Sequence, residues 1–149
     1  MSYEYISDAV SDMFNLFRDI WKDEYDNPLP VEVPGMDFDT ADLTPVEVWA
    51  RWRCDHSAEQ GQASLAGGNG KRKWQRDGLI SIELNTPPNS GVTQAYELAE
   101  VVLKAYQGKR TAGDAWFRNV RVVESSPQEN SGVWYKIYVF AEFTYEQIS

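Results

Sequence analysis

The chain has 149 residues, of which 42% are hydrophobic and 13% aromatic, enough for one globular domain with a real core. Its net charge of -9 and pI near 4.6 argue against general binding to nucleic acid or anionic membrane, which needs a Lys/Arg surplus. No apolar run reaches the roughly 20 residues of a membrane span, and the acidic start MSYEYISDAVSDMF does not read as a signal peptide, so a cytosolic site of synthesis and assembly is expected. Cys54 is the one cysteine, which excludes an intrachain disulfide and a cysteine-based metal site.

The first segment predicts a helix. Ile6, Val10, Met13, Phe14, Phe17 and Trp21 recur at helical spacing, and Leu16 and Ile20 widen the stripe. Ser2 is the candidate N-cap, with Glu4 in the first turn. Pro28 and Pro30 end the helix by about Tyr25. An extended connector, Asn27 to Pro45, follows. Its Asp37, Asp39 and Asp42 lack the Gly and the distal Glu of a calcium loop, so a solvated acidic loop is expected and no metal.

Val46–Cys54 alternates as a strand. Val46, Val48, Ala50, Trp52 and Cys54 line one face, and Glu47, Trp49, Arg51 and Arg53 the other. Cys54 therefore reads as a small buried hydrophobe. The Gly- and Ser-rich stretch 56–73, HSAEQGQASLAGGNGKRK, reads as a long flexible loop that orders against a partner. A phosphate-binding loop is excluded, because Leu65 stands where that motif needs Gly and Arg72 where it needs Ser or Thr. His56 has no Ser or Asp partner that can be placed from sequence and reads as a surface residue.

Gly78–Thr86 is the second strand, with Ile80, Ile82 and Leu84 inward and Pro87 and Pro88 stopping it. A second helix follows a Ser90 N-cap. Val92, Ala95, Tyr96, Ala99, Val102, Leu103 and Tyr106 form its stripe, and Gly108 ends it. Gln94, Glu97, Glu100 and Lys104 take the solvent side. Trp116–Glu124 is a third strand with poor alternation, in which Trp116, Val120 and Val122 share a face with Arg118. Ser125–Ser131 is a loop. The last strand, Val133–Tyr145, points Val133, Tyr135, Ile137, Val139, Ala141, Phe143 and Tyr145 to the core. Its other face carries Trp134, Tyr138 and Phe140, more aromatic surface than a water-facing strand requires.

The order α-β-β-α-β-β predicts one α+β domain over residues 1–149. It is a two-layer sandwich, a mainly antiparallel four-stranded sheet with both helices on one face. The open sheet face then holds Trp49, Trp134, Tyr138 and Phe140 beside Arg51, Arg53, Lys136, Glu83 and Glu142, a mixture that suits protein–protein contact. Trp49, Arg51, Trp134, Tyr138 and Phe140 are the expected interface, with Lys71, Arg72 and Lys73 as loop contacts. No nucleophile–base pair stands out, and Glu97 and Glu100 lie on a solvated helix face, so neither an enzyme nor a cofactor is expected.

The chain resembles the tail terminator (tail-completion) proteins of long-tailed bacteriophages. The resemblance lies in the segment order and in three patterns. One is the glycine-led strand GLISIELNTPP at Gly78–Pro88. The next is the G-x-x-x-A-x-x-L-A helix at Gly91–Ala99. The last is the closing strand, with Gly132-Val133-Trp134-Tyr135 at its start and Phe143-Thr144-Tyr145 at its end. The connector Asp26–Thr44 is longer and more acidic than the family pattern. The resemblance implies a structural virion subunit without catalytic activity. Six copies would form a ring on the head-proximal end of the tail tube, stop tube polymerisation and dock head-completion (connector) proteins, with DNA passing through the lumen. It also implies assembly in the host cytoplasm and no membrane partner. A head–tail connector or stopper subunit, a tail-tube subunit and a stand-alone protein-binding module are the alternatives.

Overall fold

A computed structural model describes residues 2–24, 31–33, 48–57, 62–64, 73–86, 92–124 and 135–148. Helix α1 (Ile6–Glu24) buries Ala9, Met13, Phe17 and Trp21 completely, four residues apart along one stripe. The helix starts at Ile6, so Ser2 does not cap it. Residues ahead of it run extended instead. The Tyr3 N–H donates to the Glu146 carbonyl and the Ile148 N–H to the Tyr3 carbonyl, both at 2.9 Å. This anchors a large aromatic: the Tyr3 hydroxyl donates to Asp12 Oδ2 at 2.9 Å and shares a hydrogen bond with Thr111. Gly113 lies under the ring, where a Cβ would fall 2.3 Å from Tyr3 Cζ.

Four long strands build the sheet: β2 (Trp49–His56), β4 (Lys73–Thr86), β5 (Trp116–Glu124) and β6 (Tyr135–Ile148). They pair antiparallel in the spatial order β2-β4-β6-β5. Both helices cover one face, so the fold is the α+β sandwich that the segment order predicts. Two short strands add to it. β1 (Val31–Glu32) runs parallel to β2, and β3 (Gln62–Ser64) pairs antiparallel with the start of β4.

β3 falls inside the expected loop over 56–73, whose residues 58–61 and 65–72 lie outside the described residues. His56 closes β2, Lys73 opens β4, and Gln62–Ser64 are paired strand. β4 begins before the apolar run at Gly78 because its residues Lys73–Asp77 face Thr144–Ile148 of β6. Backbone pairing needs no apolar side chains, so alternation did not announce it. The acidic residues Asp37, Asp39 and Asp42 lie outside the described residues.

β5 carries a bulge between Arg118 and Arg121, with Asn119 in the left-handed region at φ 51°. The extra residues shift the phase of the strand. Trp116 and Arg118 face away from the helices, opposite Thr144 and Glu142; beyond the bulge Arg121 does so, opposite Phe140, while Val122 faces Val139. The poor alternation of this strand is the bulge seen in sequence.

Helix α2 (Val92–Tyr106) buries Ala95, Leu98, Ala99, Val102, Ala105 and Tyr106. Tyr96, expected in the stripe, is 38% exposed and hydrogen-bonds the Glu124 carboxylate. Gly108 has the positive φ, 71°, of a C-terminal glycine. Tyr106 ties the layers together. Its hydroxyl donates to the Met13 carbonyl of α1 and accepts from Trp52 Nε1 of β2, both at 2.9 Å. Cys54, expected to be buried, is partly buried against the core, and that burial pushes its thiol up to about 12.

Candidate functional site

The face of the sheet opposite the helices is built by register. Odd positions of β2 and β4 and even positions of β6 point to it, and antiparallel pairing lines them up in rows. One row runs Arg51, Glu83, Tyr138 and Val123; the next runs Arg53, Ser81, Phe140 and Arg121. Below them come Asp55, Leu79, Glu142 and Arg118.

Charges in these rows are paired. Glu83 is buried, 7% exposed, and ion-pairs with Arg51 at 3.2 Å and Lys136 at 3.5 Å. It also accepts from the Tyr138 hydroxyl at 3.2 Å and Asn85 Nδ2 at 3.4 Å. A buried carboxylate needs that set of partners. Glu142 pairs with Arg121 at 3.5 Å and Arg118 at 3.9 Å and accepts from Asn119 Nδ2. Arg118 reaches Thr144, whose hydroxyl donates to Asp77 at 2.7 Å.

Between the two clusters lies the aromatic centre. Tyr138 and Phe140 lie parallel, ring centroids 6.0 Å apart, and the Arg121 guanidinium sits 5.3 Å over Phe140. Arg51, Arg53, Asp55, Ser81, Glu83, Tyr138 and Phe140 line a cup of ≈ 310 Å³. A wider cavity of ≈ 550 Å³ opens beside it along Asp55, Asp77, Arg118, Arg121 and Glu142. Cations and acids nearly balance on this face, in a chain whose net charge is -9.

The structure brings Arg51, Tyr138 and Phe140 together, as expected. Trp49 belongs to the same face but is only 3% exposed, so it is a buried residue and no exposed anchor. The Arg51 guanidinium lies 5.5 Å over its ring. Lys73 is also on the face but at its far end, bonded to Glu146 at 2.7 Å and apart from the aromatic centre. Trp134, Lys71 and Arg72 lie outside the described residues. Sequence reasoning missed Arg118 and Arg121. Their only signal was the broken alternation, because the bulge decides which way they point.

His56 is half-buried and not the fully exposed surface residue expected. Its ring stands edge-on to Phe143 and Tyr145, and Nε2 shares a 2.6 Å hydrogen bond with the Tyr145 hydroxyl. Burial, then repulsion from Arg76, lowers its pKa below 6.5, against the opposing pull of Asp55. The neutral ring is therefore favoured by folding. Its contribution is complete above the unfolded value near 6.5 and is lost as pH falls through the lowered folded value. NMR titration of His56 should give a midpoint below 6.5, and His56→Gln should flatten the stability loss on acidification from that pH. A midpoint above 6.5 would contradict this account.

Among the described residues no group of three His, Cys, Asp or Glu is placed to hold a metal, and no helix is long and apolar enough to cross a membrane. No family model matches the chain, and no curated protein matches it. Solved structures resemble it, one of them with a TM-score of 0.61 at 14% identity, covering 93% of this chain and 94% of the other. At that identity the likeness is one of fold alone.

Proposed function

We propose that this protein is a structural subunit that assembles into a ring, of six copies, capping the head-proximal end of a bacteriophage tail tube. The ring stops tube polymerisation, docks head-completion (connector) proteins and lets DNA pass through its lumen. The site of action is the virion, at the head end of the tail, after assembly in the host cytoplasm. The observation that carries assembly is the aromatic and arginine centre of the sheet face that the helices leave uncovered: Tyr138, Phe140 and Arg121. Residues of these types dominate interface energetics. The tail-terminator identity rests on the resemblance in segment order and in the three sequence patterns. The acidic charge suits a channel that does not grip DNA.

The test mixes the protein with tail tubes lacking their cap and images the ends. Density at the head-proximal end is expected. Long tubes formed by the protein alone would instead make it a tube subunit, and bare tube ends would sink the reading. Arg121→Glu combined with Phe140→Ala should weaken capping by about thirtyfold, the effect of losing one interface hot spot. The melting temperature should move little, because Arg121 and Phe140 are outside the core. Binding unchanged in this variant would remove the face from the interface.

A further inference from the structure

We propose that a second copy of this chain is held by an arm of the sheet: Arg76 and Trp74 of one copy dock on Glu97 and Glu100 of the next. This rests on the ring-forming reading and names one of its contacts.

The arm is where β3, the first residues of β4 and the last of β6 pair. Trp74 sits on it and is not part of the hydrophobic core. Its neighbour is Arg76, whose guanidinium lies 5.6 Å over the indole ring. Arg76 Nε donates to Gln147 Oε1 at 3.2 Å, and among the described residues no carboxylate pairs with it. A stacked guanidinium held by its Nε, with its terminal nitrogens paired to no carboxylate among the described residues, is already oriented for one.

The complementary group is on α2. Glu97 and Glu100 are exposed, one turn apart, and neither forms an ion pair among the described residues, Lys104 included. Tyr96 stands beside them, 38% exposed, an aromatic that a solvated helix face does not need. Copies of a chain with charge -9 repel each other. Their contact must therefore set scarce cations against acids that lack a partner. Arm and α2 surface are different patches, so the contact runs head to tail, as a closed ring requires.

Sedimentation equilibrium of the full chain tests it. Arg76→Glu should weaken self-association at least about tenfold, and Glu97→Arg with Glu100→Arg should do the same from the other side. Trp74→Ala should weaken it too. Combining the arm and helix reversals should restore association, a rescue that misfolding cannot produce. The helix substitutions are on an exposed surface and guard against a fold defect at Arg76. Association unchanged in the single reversals, no rescue, or a wild type that stays monomeric at every concentration overturns the proposal. If these reversals leave capping intact while Arg121→Glu with Phe140→Ala abolishes it, the arm is wrong and the ring reading stands. If the wild type neither self-associates nor caps tubes, both fall. Duplex DNA retained by the wild type and lost by Arg76→Glu, with association unchanged, would make the arm a nucleic-acid contact instead.

Discussion

Gly78→Ala is expected to lower stability by about 3 kcal/mol, the upper part of the usual range for overpacking a core. A Cβ at this position would fall 2.3 Å from the Asp55 carbonyl oxygen and 2.4 Å from Phe143 Cζ. The first neighbour is backbone of the adjacent strand. The second is a fully buried ring flanked by His56 and Tyr145. Neither can give way cheaply. Gly78 pairs with His56 on one side and Phe143 on the other, and the Phe143 ring uses the space that its missing side chain leaves. Thermal unfolding should show a melting temperature lower by about 6–12 °C. Adding Phe143→Leu should recover part of the loss. An alanine variant that melts within about 1 °C of the wild type would mean that Phe143 is not held.

Tyr106→Phe should cost about 2 kcal/mol, although it removes one oxygen atom. The residue is completely buried, and its hydroxyl is the partner of the Trp52 indole N–H. Without it, that N–H is buried and unsatisfied, and the Met13 carbonyl loses one of its donors. Burial pushes the phenol far up, so it stays protonated at any working pH and the loss should not depend on pH. The decisive measurement is a double-mutant cycle in urea. Trp52→Phe on the Tyr106→Phe background should cost less than on the wild type, because the orphaned donor is then gone. Strict additivity would mean that the bond carries no coupling energy.

Both residues show what local reading reaches. Tyr106 was legible as a core position from its place in the α2 stripe, but its hydroxyl bridge links residues 54 and 93 positions away in the chain. Gly78 was legible as a strand start, whereas its necessity comes from Phe143, across the sheet. Tyr96 fitted the helical period yet lies outside the core, where its hydroxyl meets the Glu124 carboxylate. On the candidate face, Tyr138 and Phe140 were legible because β6 alternates without interruption. Trp49 was placed on the correct face but not at the correct depth, since depth depends on what covers a face.

The amino-acid order alone determined the number and order of the long elements, the ends of α2 and β5, and the inward faces of β4 and β6. These follow from periodicity, capping and proline stops, which act over a few residues. Tertiary structure decided the rest. It carried β4 back to Lys73, made β3 out of Gln62–Ser64, which holds no large apolar side chain, and turned Arg121 outward through the bulge at Asn119. Among the described residues it also left Arg76 and the pair Glu97 and Glu100 without ionic partners, on separate surfaces. Such features depend on register and burial, which are set by residues far apart in sequence and leave no periodic trace at either position.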